Sequence, residues 1–310
     1  MTRRALAPWL LIGAPLLVFA ALFLLPLANL AALSFMHFDR TTGAISGLSL
    51  DNYGKFLGDP FYLGILWRTF KLAVLVTLST LVIGYPVAVY LSRATGRRRA
   101  HLTLVILAPL LISVVVRSFG WLVILGPNGL VNSALRGLGL IDEPLRLLYT
   151  ETAIALGLVH VFLSFMVLSV ATALGRIDPA VLRAAASLGA GPVRTFLQVV
   201  LPLSLPGVAA GSVIVFTLSA SAFITPALLG GPRVKVMSYL AYQQTMLLSD
   251  WPYGAAIALV LLAMTSAGVL VYLRLLESGR LGVVFRRPRA SRGSGRGRRS
   301  STRSSCRPSR

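Results

Sequence analysis

The chain has 310 residues, 56% of them hydrophobic, and a mean hydropathy of +0.79. A soluble domain of this size needs a polar shell that such a composition cannot supply, so a soluble enzyme or binding module is excluded. The net charge of +21 suggests nucleic acid until its distribution is read: eleven of the 30 Lys and Arg fall after residue 276, in the tail ending RRPRASRGSGRGRRSSTRSSCRPSR.

The apolar residues come in runs of about 20 or more, the length that crosses ~30 Å of hydrocarbon as a helix. The predicted class is all-α, a polytopic membrane protein with six spans at about residues 9–36, 69–92, 102–125, 152–174, 199–220 and 253–275. The basic start MTRRALAPWLLIG looks like a signal peptide, but its apolar run exceeds a signal h-region of about 7–15 residues. An uncleaved first span is expected. Pro86, Pro109, Pro202 and Pro206 sit in or at the ends of spans, where they kink helices and free carbonyls that protein or water must satisfy.

Arginine placement predicts orientation. With both termini in the cytoplasm, the inner side holds 21 of the 30 basic residues and the outer side seven of the nine acids. The compact loop RATGRRR at 93–99 abuts two spans on that inner side. Residues 1–8 are then a cytoplasmic N-terminus, 9–275 the membrane domain and 276–310 a cytoplasmic tail too poor in apolar residues to fold. Such a tail can touch anionic headgroups or RNA without specificity. The single cysteine, Cys306, lies in it, which leaves no disulfide framework and no cysteine metal site.

Between the fourth and fifth spans lies GRIDPAVLRAAASLGAGPVRTFLQVVLPLSLPG, residues 175–207. Asp178 is a good N-cap and Pro179 suits the first helical position, so a short alanine-rich helix is expected from about 180 to 188. Gly189 can take the left-handed conformation that ends it, and Gly191 and Pro192 read as the N-cap and first turn of a second helix. Two readings of this segment compete. It is either a connector lying on the inner leaflet or an elbow on which another protein packs, and its alanines are weak membrane anchors.

The segment resembles the EAA loop of permease subunits of ATP-binding-cassette importers, approximately E-A-A-x-x-L-G-A followed by a spacer and L-P. The matching letters are Ala184, Ala185, Ser187, Leu188, Gly189, Ala190, Phe196, Leu201 and Pro202, whereas Arg183 stands at the glutamate position. Stretches such as VVRSFGWLVILGPNGLVNSALRGLGLI and VLPLSLPGVAAGSVIVFTLSASAFITPALLGG are similar to the spermidine/putrescine branch, and the family core covers about residues 65–275. The resemblance implies a type I importer transmembrane domain whose coupling loop at 175–197 meets an ATPase through Arg183, Ala184, Ala185, Ser187, Leu188, Gly189, Ala190 and Pro202. It implies as partners two copies of a cytoplasmic ATP-binding subunit, a second permease (a paralogue is expected), an extracytoplasmic solute-binding protein and membrane lipids, with no specific nucleic acid. The implied cargo is a polyamine or a related small organic solute.

The chain has no G-x-x-x-x-G-K-[ST] phosphate cradle, so ATP and its hydrolysis belong to the partner and no cofactor is expected here. No Ser–His–Asp or paired-carboxylate arrangement suggests catalysis. Polar residues within or flanking spans are the candidates for a translocation path: Arg117, Trp121, Asn132, His160 and Ser164. Arg117 can line a pore, snorkel to the outer headgroups or pair with Glu151. His160 has no histidine neighbour in sequence, which argues against a metal. The spans hold no acid at mid-depth, so the solute is either a polyamine recognised elsewhere or a neutral, zwitterionic or anionic compound. Two other classes stay open. An ion-coupled secondary transporter would need mid-membrane carboxylates or paired half-helices, and a membrane scaffold leaves the elbow unexplained.

Overall fold

A computed structural model describes residues 3–39 and 43–278; within it only the backbone is described at 3–12, 14, 277 and 278. The expectation for the tail lies outside the described residues. Helix α1 (Arg3–Ser34) leads to a small antiparallel hairpin of β1 (Met36–Phe38) and β2 (Ile45–Leu48), an addition to the all-α expectation. Then come α2 (Asp51–Gly58), the long α3 (Pro60–Arg93), α4 (Gly96–Leu111), α5 (Val114–Leu125) and α6 (Leu130–Gly137). Helix α7 (Glu151–Leu174) is followed by α8 (Pro179–Ser187), α9 (Pro192–Thr195) and α10 (Leu201–Ser221), and α11 (Ile224–Leu229), α12 (Met237–Tyr242) and α13 (Trp251–Ser278) complete the order. Single π-helical turns, Phe196–Val200 and Gln243–Leu247, join α9 to α10 and extend α12.

Among the described residues six helical stretches are long and apolar enough to cross a membrane: Pro15–Ser34, Pro60–Arg93, Val114–Gly137, Glu151–Leu174, Pro192–Ser221 and Trp251–Leu276. The third departs from the single helix expected at 102–125. The chain breaks at Ile112 and Ser113, where ψ swings to 134° and 135°, between α4 and α5. Ile106 and Trp121 contact Ser164 and His160 of α7, only one helical turn apart, whereas a straight helix would separate them by roughly 22 Å. The two pieces therefore converge on α7. Pro109 weakens the end of α4, and Arg117 caps the carbonyls freed there.

Helix α7 is the centre of the core. Its Ile154, Met166, Val167 and Val170 are fully buried, packed among Val76 and Ala88 of α3 and Val215 of α10. In lipid, helices associate by close packing rather than by escaping water, so small residues decide where backbones meet. A Cβ at Gly207 of α10 would fall 2.5 Å from the Ala173 Cβ, and one at Gly84 of α3 would crowd Leu163, Met166 and Val167 at 3.3 Å. By contrast α1 leans on α13 and exposes Leu16, Phe19, Leu22 and Leu25 along its length, a face fit for lipid or another membrane chain.

Candidate functional site

The elbow at 178–192 is built almost wholly from local chemistry. The Asp178 carboxylate accepts from the Ala180 N–H at 2.8 Å, Pro179 occupies the first turn, and α8 runs to Ser187. Gly189 sits at φ +78°; its N–H donates to the Ala186 carbonyl at 3.0 Å and that of Ala190 to Ala185 at 3.1 Å. These two bonds are a Schellman closure, in which glycine at the left-handed position lets the chain satisfy carbonyls that would otherwise be orphaned. Gly191 and Pro192 open α9 as expected.

No residue of α8 is buried. Leu188 at 88% and Val193 at 70% exposure stand out on either side of the Gly189 turn, with Val181 and Leu182 behind them. Arg183 is exposed, and its side chain has no hydrogen bond or ion pair among the described residues. The elbow is tied to the bundle through its far end: Tyr85 of α3 packs edge-on against Phe196 at 5.7 Å and shares a 2.8 Å hydrogen bond with Ser204 of α10. Pro202, the last motif residue, lies in the first turn of α10.

The five path candidates separate into different roles. Trp121 of α5 and His160 of α7 meet edge to face, ring centres 5.8 Å apart, and the indole N–H donates to Nδ1 of His160 at 3.3 Å. An indole N–H only donates, so Nδ1 is the acceptor in this contact. His160 remains exposed beside the half-buried Trp121. One turn earlier on α5, the Arg117 guanidinium donates to the Pro109 carbonyl and, at 3.3 Å, to that of Ile112. It therefore does not pair with Glu151. That carboxylate instead takes Arg68 at 3.2 Å and Lys71 at 2.5 Å, both from α3.

Ser164 is buried and donates to the Ile106 carbonyl, tying α7 to α4. Asn132 is fully buried: its amide donates to the carbonyls of Gly126 and Leu145, at 2.9 and 3.1 Å, and accepts from the Leu145 N–H at 2.9 Å. Both side chains have their polar atoms engaged with backbone. Of the five, Arg117, Trp121 and His160 form one continuous feature where α5 meets α7. The Glu151 clamp escaped the sequence reading because its partners lie about 80 positions away. Among the described residues no three His, Cys, Asp or Glu gather as metal ligands would.

Residues 84–277 match the family of binding-protein-dependent transport system inner membrane components. The chain belongs to this family. It is 32% identical over 250 residues to the spermidine/putrescine transport system permease protein PotB of Escherichia coli strain K12, covering 81% of this chain and 90% of that one. It is 34% identical over 267 residues to the inner membrane ABC transporter permease protein YdcU of the same strain, covering 81% and 84%. Its fold is similar to a chain of a bacterial alginate ABC transporter crystallised with an alginate pentasaccharide-bound periplasmic protein, with a TM-score of 0.73, 18% identity, and 89% and 96% of the two chains covered.

This member of the family is thus a permease of a binding-protein-dependent ABC importer, a multi-pass inner-membrane protein and not an enzyme. Its partners are of the ATPase and solute-binding kinds. The exposed elbow lies within the matched region, as does the α5–α7 face.

Proposed function

We propose that the elbow is the docking site for the ATPase, and that it transmits nucleotide-driven closure to the spans that carry a polyamine-type solute. The observation that carries this is a helix–turn–helix with no buried residue in α8, rigid by its own hydrogen bonds and flanked by exposed Leu188 and Val193. Two ATPase copies would engage two such elbows, one from this chain and one from a second permease, a paralogue. Both termini face the cytoplasm in this arrangement, consistent with the basic loop at 93–99 and with Arg176, Arg183 and Arg194 around the elbow.

Closure of the ATPase pair would displace α8 as a rigid unit. The π turn at Phe196–Val200 and the Tyr85–Ser204 bond would pass that motion to α10 and α3. Nucleotide would then shift the population between inward- and outward-open states. The path is assigned to the face carrying Arg117, Trp121 and His160, where indole and imidazole offer a flat, weakly polar wall.

Substitution of Gly189 by Trp tests the docking. The replacement puts a bulky L-residue at φ +78°, and the expected result is loss of both transport and solute-stimulated ATPase by tenfold or more in an assembled complex. Survival of both activities would refute the assignment. Similarity to PotB favours spermidine or putrescine as cargo. A neutral, zwitterionic or anionic solute is the second reading, because Arg117 is the deepest charge and no acid lies mid-span. Uptake of labelled spermidine into proteoliposomes holding the whole complex decides between them.

A further inference from the structure

At the outer ends of α5, α7 and α11 the chain encloses a cleft of about 440 Å³. One wall is the segment 145–149, which includes Arg146; the facing lip is Pro232 and Arg233, and Leu125 and Pro127 lie at the base. Both arginines are exposed, and neither guanidinium has a hydrogen bond or ion pair among the described residues. Asp142 and Glu143 precede Arg146 by four and three residues and are also exposed, yet no ion pair joins them to it.

The walls are held independently of any ligand. The Asn132 amide grips Leu145 by both its N–H and its carbonyl, and the Tyr149 N–H donates to the Leu229 carbonyl at 2.9 Å. Tyr149 itself has φ +60°, an uncommon conformation for a tyrosine. Its ring lies on Gly231, where a Cβ would come within 2.6 Å of Cδ1. A non-glycine residue held at positive φ beside a cleft is a feature that functional sites share.

We infer that this cleft is a carboxylate receptor for the solute-binding partner: Arg146 and Arg233 together grip an acidic side chain on its docking face. The inference rests on the importer reading above. A guanidinium presents a planar fork of donors that matches a carboxylate, and here both rise from a backbone held in place before any ligand binds. The cleft lies one turn beyond Trp121, at Leu125, and so borders the outer end of the assigned path. Two guanidinium groups there repel a polycation, so the carboxylate they attract belongs to the protein that delivers the solute.

The experiment uses the complete importer in nanodiscs, with ATPase rate measured against the concentration of its loaded solute-binding protein. The double variant Arg146→Glu/Arg233→Glu should raise the half-saturating concentration at least thirtyfold and leave the maximal rate within twofold of wild type. Arg146→Lys/Arg233→Lys should stay within fivefold. Wild type should weaken between 50 and 500 mM NaCl, and the Glu variant should lose that dependence. An unchanged half-saturating concentration in the Glu variant overturns the inference. So does an effect that follows the phosphatidylglycerol content of the nanodisc, which would mark a lipid-headgroup site. If wild type shows no stimulation by the binding protein, the importer reading falls as well; if stimulation is normal and indifferent to both arginines, only the cleft assignment falls.

Discussion

The two ends of the bundle are held by different means. At the elbow end, α8 and α9 are ordered by contacts within five residues: the Asp178 cap, the Gly189 closure and Pro192. At the opposite end, α6 and the segment up to Tyr149 are held by bonds that reach across the sequence, from Asn132 to Leu145 and from Tyr149 to Leu229. Under the proposed docking role, the elbow gains from rigidity without attachment, because it can then move as a body. The proposed path end gains instead from attachment to the spans beside it. With the proposed function, the contrast predicts that damage at the elbow uncouples the protein without unfolding it, whereas damage at the Asn132–Tyr149 end unfolds it locally first.

Gly189→Trp carries the largest functional effect, and on this comparison the melting temperature of the purified permease should move by less than about 2 °C, because nothing is buried against α8. A large fall in melting temperature would show that the elbow supports the fold and would break the contrast. Asn132→Ala should do the opposite. It removes three hydrogen bonds from a fully buried site and leaves the Leu145 N–H without its acceptor, a loss of about 2–4 kcal/mol. Limited proteolysis should then cut within residues 126–149, and the melting temperature should fall by several degrees while coupled ATPase persists at low temperature.

Smaller effects sharpen the comparison. Arg183→Gln removes an exposed charge from the elbow, and the expected change in solute-stimulated ATPase is under about threefold. A tenfold change would mean that the guanidinium pairs with a carboxylate of the ATPase. Glu151→Gln weakens the double contact to Arg68 and Lys71, with side chains about one-third to one-half exposed, and should cost no more than about 1 kcal/mol in thermal or denaturant unfolding.

Much of this was legible in the residues. The Asp–Pro pair at 178–179 announced the start of α8 and Gly189 its end, because caps depend on neighbours a few positions away. The same Asp–Pro signature at 59–60 starts α3, with the Phe61 N–H on the Asp59 carboxylate at 2.8 Å, yet the apolar run alone suggested a start near residue 69. Arg117 stood out in the sequence as a charge within a span, but its destination was not readable. Whether a guanidinium snorkels, pairs with Glu151 or caps Pro109 depends on where α4 and α5 bend.

By itself the sequence determined the class, the existence of six spans and the elbow, since hydropathy and caps are properties of short stretches. Only the tertiary structure decided the break in the third span, the engagement of Asn132 and Ser164 with backbone, and the meeting of Trp121 with His160. Those features join residues far apart in the chain. Each depends on how α7 packs against α3, α5 and α10, which no local pattern of polar and apolar letters encodes.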